Sequence, residues 1–255
     1  MKPQTQKMPG SMTIDHLRMA SIEITQCCNG QCPYCNQTKG DRNMAVSEFG
    51  RLLDHLVDEK IEAVAFGGGE PTLHPALAEL LRASKDRGLQ TGLTTNCRAP
   101  HLVKELAAVN LLDSFGVSAG KGEWLELVQH HRATVNLLLI SGGLKTVLDQ
   151  AVQAVRYGAR CLLLLGYKGG QQTPYFPTTS EVVDAYSLLT MLGRKAGIAV
   201  AADDYTRRRL RLAETCGEGF VRINIDGTRD VCCFTHCEFR PKTLPANFYS
   251  ALENP

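Results

Sequence analysis

The 255-residue chain reads as an α/β protein whose parallel strands close, or partly close, into a barrel. Three observations predict this. Apolar runs of strand length alternate six times with stretches of helical periodicity, the order that gives parallel strands joined by right-handed crossovers. Cysteines, glycines and small polar residues recur just after the predicted strands, and in barrels chemistry gathers at the C-terminal strand ends. Beyond residue 200 the alternation gives way to two strand-like runs flanking Asp226-Gly227, a hairpin signal, with four cysteines around it.

Residues 1–18 lack periodicity and predict a flexible lead-in, 19–200 the barrel, and 201–255 a small cysteine-rich module. Residues 20–25 alternate as a first strand. Phe49, Leu52, Leu53, Leu56 and Val57 repeat at the spacing of an amphipathic helix, with Ser47 as its cap. A second strand, 63–66, leads to a helix with Pro75 in its first turn and Gly88 just past its end. Strands follow at 89–95, 115–118, 135–140 and 162–166, with helices at 102–109, 123–131 and 144–155 between them. The loop 171–177, carrying Tyr175 and Phe176, either lines the open side of the barrel or is an ordinary solvent loop. A helix at 180–195 ends at Gly197, and 198–202 is a short strand-like run.

The formal charge of +2 leaves no broad basic face for duplex nucleic acid or an anionic membrane. The longest uninterrupted apolar run, residues 161–165, is far too short to span a bilayer. Ten cysteines, clustered at metal-ligand spacing in a long chain without a signal-peptide pattern, point to a reducing cytoplasm.

The stretch that organises the chain is Cys28-Asn29-Gly30-Gln31-Cys32-Pro33-Tyr34-Cys35, directly after the first strand. Three thiolates at C-x3-C-x2-C spacing can converge on one iron–sulfur cluster. A four-iron cluster normally takes four cysteines, so one iron is left open for chemistry. Gly30 and Pro33 suit a loop wrapped tightly around an inorganic core. Structural zinc and a ferredoxin-type cluster are the alternatives. Against them, the next cysteine is Cys97 and no second cluster run is present. Cys27 opens a competing register and is read as a neighbour.

This triplet, with Tyr34 before its last cysteine, resembles the cluster motif of the radical S-adenosylmethionine (radical SAM) superfamily. Gly67-Gly68-Gly69-Glu70-Pro71, after the second strand, resembles that superfamily's GGEP loop. The resemblance implies a partial (β/α)6 TIM-like barrel with a [4Fe-4S] cluster on Cys28, Cys32 and Cys35. It also implies that SAM is chelated at the open iron and that a 5′-deoxyadenosyl radical abstracts hydrogen from a substrate. An external electron donor such as a flavodoxin or ferredoxin follows from the same chemistry. Gly68 and Gly69 would let backbone approach SAM, and Glu70 would pair with its ammonium group. Thr94-Thr95-Asn96 resembles the third-strand TNG motif, which makes Thr95 and Asn96 SAM ligands. Cys97 replaces the glycine and brings a thiol near the barrel mouth, where it is either a hydrogen donor to a substrate radical or a small buried hydrophobe. Ser118 and Asn136 match polar positions that touch SAM in relatives, and Tyr34 and Tyr167 would flank the adenine.

At the other end, Cys216-x10-Gly227-x4-Cys232 resembles the opening of the SPASM and twitch auxiliary-cluster modules. Cys237 and Cys233 would complete four thiolates for a second iron–sulfur cluster. Neighbouring cysteines on a strand point to opposite faces, so zinc or free thiols are the alternatives, with His236 a spare ligand. Arg207, Arg208, Arg209 and Arg211 read as a solvated helix face. The expected function is hydrogen abstraction from a peptide or small natural product. The alternatives are a nucleobase-like small molecule, activation of a glycyl-radical partner, or a non-catalytic electron carrier or zinc module.

Overall fold

The computed structural model describes residues 18–167, 169–214, 216–217, 219–230, 232 and 237–239. Strands and helices alternate as β1 (Met19–Thr25), α1 (Val46–Asp58), β2 (Ala63–Gly68), α2 (Leu77–Asp86), β3 (Gln90–Thr95), α3 (Pro100–Ala108), β4 (Ser114–Ser118), α4 (Leu125–Val128), β5 (Ala133–Leu138), α5 (Leu144–Arg156) and β6 (Cys161–Leu165). Then come α6 (Thr179–Ala196), β7 (Ala199–Ala202), α7 (Asp204–Arg209) and the hairpin of β8 (Phe220–Ile223) and β9 (Arg229–Asp230). All nine strands form one sheet in the order β7-β6-β5-β4-β3-β2-β1-β8-β9. Every pairing is parallel except β8 with β9. The sheet stays open, with β7 and β9 at its two edges, so the architecture is a partial barrel.

One face of the sheet is covered by helices. α1 buries Phe49, Leu52, Leu53 and Leu56, and Phe49 meets Phe66 of β2 edge-on with ring centroids 5.5 Å apart. Strand alternation sends the neighbouring residues to the concave face. There the registers line up Ser21 with Ala65, Ala65 with Gly92, and Ser118 with Asn136. Small and polar side chains leave room above that face.

Several expectations shift. Ser47 lies inside α1, whose N-cap is Ala45 with no side-chain cap. Pro75 precedes α2 in a turn, because His74 Nδ1 accepts the N–H of the N-cap residue Ala76 at 3.1 Å and delays the helix start. Pro71 instead opens a 3-10 turn, Pro71–Leu73. The helix expected at 123–131 contracts to α4. Residues 198–202 contribute β7, a seventh parallel strand on β6.

The hairpin is continuous with the barrel sheet. β8 lies parallel to β1, with Ala20 opposite Val221 and Ile22 opposite Ile223, all four buried. Asn224 N donates to Thr228 O at 2.9 Å, and Gly227 takes the left-handed conformation (φ 82°) that closes a three-residue turn. The lead-in through residue 17, Lys168, Val231, Cys233, Phe234 and His236 lie outside the described residues.

Candidate functional site

The cysteine loop leaves β1 and is locked to the loop after β2 by backbone. Gly69 N donates to Thr25 O and Glu70 N to Cys27 O, both at 2.7 Å. A Cβ on Gly69 would stand 2.1 Å from Cys27 O, and one on Gly68 (φ 112°) 2.2 Å from Thr25 O. These two glycines are required by the cysteine loop itself. His74, buried, donates from Nε2 to Met44 O at 3.0 Å and so fastens the far end of the same loop. Nothing in the sequence marked His74. Burial, against the weaker pull of the Met44 carbonyl, holds its pKa below the ordinary histidine value.

Within the loop, Gly30 N donates to Cys28 Sγ at 3.3 Å. Cys28 Sγ and Cys32 Sγ lie 3.5 and 3.9 Å from the point where a Gly30 Cβ would sit. Cys27 turns elsewhere, toward Asn43 Nδ2 at 3.8 Å, as expected of a neighbour. Among the described residues, no three His, Cys, Asp or Glu side chains converge closely enough to ligate a single metal ion. A tetrahedral zinc needs sulfurs within about 4 Å of each other, whereas cluster cysteines each bind a different iron and stand wider apart. Two thiols around a backbone N–H donor are a donor set that suits an iron–sulfur core.

Glu70 is 2% exposed. Its Oε1 accepts from Thr72 Oγ1 at 2.7 Å and Thr95 Oγ1 at 2.8 Å, and Oε2 accepts from Asn96 N at 2.6 Å. The carboxylate ties β2 to β3 through these protein donors, and Oε2 keeps acceptor capacity beyond its one hydrogen bond. Asn96 reaches over the cysteine loop, its Nδ2 donating to Asn29 Oδ1 at 2.8 Å. Cys97 has φ 61°, the conformation a glycine would take. Its thiol has no exposed surface and lies against Thr95 O, 3.5 Å away. Burial pushes its pKa up to about 12. Of the two sequence readings, the structure fits the buried hydrophobe; the thiol is not at the mouth.

Further round the concave face, Asn136 lies opposite Ser118. Asn136 Nδ2 and Thr94 Oγ1 crowd over Gly116, 2.5 and 2.8 Å from where a Cβ would be. Asn136 Oδ1 is buried and has no hydrogen-bond partner among the described residues. A buried acceptor left open is an unmet demand for a donor, which a ligand hydroxyl would satisfy. Tyr175 stands between Tyr34 and Tyr167, its ring centroid 6.2 Å from the first and 6.1 Å from the second. The loop 171–177 thus lines the barrel mouth, the first of its two readings.

Two features escaped the sequence. Lys121, just after β4, holds its Nζ 5.3 Å from the centre of the Tyr34 ring. The arginines of α7 are also engaged. Arg209 sits 4.8 Å over the Phe176 ring and donates to Pro177 O at 3.0 Å, and Arg208 sits 5.0 Å over Phe239. The expected solvated face is corrected for two of the four arginines: Arg209 fastens the mouth loop and Arg208 the C-terminal segment to α7.

Beside the hairpin Cys232 and Cys237 are neighbours, and Cys216 lies near them without the three closing on a single-metal site. A hydrogen bond from Cys232, working against burial, holds the Cys237 thiol below its usual range. Cys216 is pushed up by burial and then by the nearby Cys232.

The comparisons agree with this geometry. Residues 22–120 match the Radical SAM superfamily model. A protein of Methanocaldococcus jannaschii named as a glycyl-radical enzyme activating enzyme is 36% identical over 107 residues, 40% of this chain and 43% of that one. The PqqA peptide cyclase of Bradyrhizobium diazoefficiens is 39% identical over 79 residues, 29% of this chain and 21% of that one. The matched segments thus span less than half the length of these relatives. Among solved structures, Streptococcus suis SuiB bound to precursor peptide SuiA aligns with a TM-score of 0.67 at 15% identity, covering 90% of this chain and 62% of that one. anSMEcpe with bound AdoMet and the Cp18Cys peptide aligns at 0.65 and 16%, covering 87% and 76%. At such identities the likeness is one of fold. The matched stretch contains the cysteine loop, the GGGEP loop and Thr95-Asn96, and over it the chain is similar to the radical SAM superfamily.

Proposed function

We propose that the chain is a radical SAM enzyme acting by hydrogen abstraction on a peptide or small natural product. The observation that carries this reading is the convergence of three strand-end loops. Glu70 N meets Cys27 O at 2.7 Å, Glu70 Oε2 meets Asn96 N at 2.6 Å, and Asn96 Nδ2 meets Asn29 Oδ1 at 2.8 Å. When bound, a [4Fe-4S] cluster and SAM supply one-electron cleavage of a C–S bond and hence a 5′-deoxyadenosyl radical.

The chain's own residues hold and orient that pair. Cys28, Cys32 and Cys35 ligate three irons. Gly68 and Gly69 press the second loop onto the first, and Glu70 acts through Thr95 and Asn96, which it fixes in place. Asn136 Oδ1, buried without a donor, accepts a SAM hydroxyl next to Ser118. Tyr34, Tyr167 and Tyr175 form an aromatic wall for the adenine and keep water from the mouth. We read Cys216, Cys232 and Cys237, with Cys233, as ligands of an auxiliary cluster that takes up an electron or binds the substrate.

The peptide class is supported by the PqqA peptide cyclase match and by the fold shared with SuiB in its peptide complex. Activation of a glycyl-radical partner is the second reading, favoured by the 36% identical relative of that name. The nine described cysteines are all free thiols, which supports a reducing cytoplasm and a flavodoxin- or ferredoxin-type donor. No helix among the described residues is long and apolar enough to cross a membrane.

Iron content after anaerobic reconstitution tests both metal sites together. About eight irons per chain, falling to about four in the Cys28/Cys32/Cys35→Ala variant, is expected for two four-iron clusters. About four falling to none leaves the barrel cluster standing and removes the auxiliary one.

A further inference from the structure

A cavity of about 280 Å³ lies at the C-terminal ends of β1 and β8. One wall is the cysteine loop, through Gln26, Asn36 and Gln37, and the other is the hairpin, through Arg222, Asn224, Asp226 and Asp230. Its most buried carboxylate is Glu23 of β1, whose side chain is 9% exposed. Glu23 pairs in register with Gly67, and Arg222 with Ser21. Glu23 Cγ lies 2.9 Å from where a Gly68 Cβ would sit, and Arg222 Nη1 lies 3.6 Å from that of Gly67. Both side chains therefore stand beside the glycine loop after β2.

Glu23 is held without being saturated. Its Oε2 accepts from Ile225 N at 3.2 Å and faces Arg222 Nη2 at 3.5 Å, both longer than the roughly 2.7–2.9 Å of a well-made charged hydrogen bond. Its Oε1 has no hydrogen bond among the described residues. Arg222 is spread over equally long contacts, to Asn224 Oδ1 at 3.3 Å and Ser21 Oγ at 3.4 Å. At the rim, Asp226 Oδ1 takes the Thr228 N–H and hydroxyl at 3.0 and 2.6 Å, and Asp230 Oδ1 takes Cys232 N at 3.1 Å. These bonds fix where the two rim carboxylates stand.

We propose that this cavity is a substrate subsite for a cationic nitrogen group, the basic side chain of a peptide, with Glu23 Oε1 as its inner acceptor and Asp226 and Asp230 at its rim. The inference rests on the peptide reading above and narrows it to basic peptides. The lining sets three carboxylates against one guanidinium, and a buried carboxylate whose counter-charge stands at 3.5 Å is under-compensated. A surplus of negative charge in a recessed site draws in a cation. The amide side chains of Gln26, Asn36 and Gln37 each offer a donor and an acceptor, which is what a peptide backbone needs along the opposite wall. A peptide seated there lies beside both the cysteine loop and the glycine loop.

The test is calorimetric titration of reconstituted wild type, Asp226→Asn and Glu23→Gln, with SAM present and iron counted. The probes are N-acetylated, C-amidated glycyl-lysyl-glycine and its norleucine and glutamate counterparts. Wild type should bind the lysine peptide about tenfold more tightly than the norleucine one, the worth of one charged hydrogen bond, and the glutamate peptide least. Asp226→Asn keeps the acceptor that Thr228 uses and should cut this preference several-fold, and Glu23→Gln should abolish it. If Glu23→Gln fails to fold because Arg222 is left unpaired, Asp226→Asn decides alone. Equal affinity for the lysine and norleucine peptides in wild type overturns the inference, as does a preference unchanged in every folded variant. Tightest binding of the glutamate peptide also overturns it, because Arg222 then receives an anion. Wild type that prefers lysine but releases no 5′-deoxyadenosine leaves the subsite standing and fails the radical SAM reading. Normal release of 5′-deoxyadenosine without a lysine preference fails the subsite alone.

Discussion

Glu70 and Asn96 are joined by a 2.6 Å hydrogen bond from the Asn96 backbone N–H to Glu70 Oε2, while the other carboxylate oxygen takes the Thr95 hydroxyl. This buried acceptor holds the loops after β2 and β3 in one arrangement. Everything proposed for SAM at Thr95 and Asn96 depends on it.

Glu70→Gln keeps the shape and removes the symmetry of the acceptor. One amide face must present N–H groups to Thr95 or to Asn96 N, leaving a buried donor unmet at a cost of about 1–3 kcal/mol. Chemical denaturation should show that loss, and SAM affinity should fall with it. Unchanged stability would mean that the carboxylate is not the tie between the two loops.

Gly69→Ala should abolish iron loading, since its Cβ would stand 2.1 Å from Cys27 O and must displace the cysteine loop. Gly88→Ala is the control. Its φ is 77° but nothing lies within 4 Å of a Cβ there, so it should cost only the left-handed strain of about 1–2 kcal/mol and load iron normally. Equal iron in both variants would contradict the backbone-contact argument.

His74 predicts a pH dependence. Burial lowers its folded pKa below the ordinary 6.5, so the unfolded chain takes up the proton first. The contribution is complete above about pH 6.5 and is lost as pH falls through the folded value. Unfolding measured from pH 7.5 down to pH 5 should be steeper in wild type than in His74→Gln. Parallel slopes would show that His74 is not held neutral by the fold.

Cys97→Gly should be close to neutral in thermal denaturation. The glycine relieves about 1–2 kcal/mol of left-handed backbone strain against the loss of one small buried thiol. In folded, cluster-free protein, alkylation should modify the exposed Cys35 and spare Cys97. Substrate conversion that needs the Cys97 thiol while SAM cleavage does not would contradict its burial and restore the hydrogen-donor reading.

The fold and the cysteine loop were legible in the sequence because they are local. Strand alternation, helical periodicity and C-x3-C-x2-C spacing all sit within a few residues of one another. What was missed is long-range. Nothing in the sequence signals that Glu70 also holds Thr95 and Asn96, 25 and 26 residues on, by hydrogen bonds. Lys121 has no spacing signal linking it to Tyr34. The arginines of α7 look like a charge run, and only the folded chain brings Phe176 and Phe239 under Arg209 and Arg208. The hairpin was readable from Asp226-Gly227, but its pairing with β1, 200 residues earlier, was not.

The most direct test of the central claim is the product of SAM in chemically reduced, reconstituted protein held without oxygen. The account predicts 5′-deoxyadenosine from wild type and none from the Cys28/Cys32/Cys35→Ala variant. Wild-type protein that carries a full complement of iron and binds SAM, yet releases no 5′-deoxyadenosine, would contradict it.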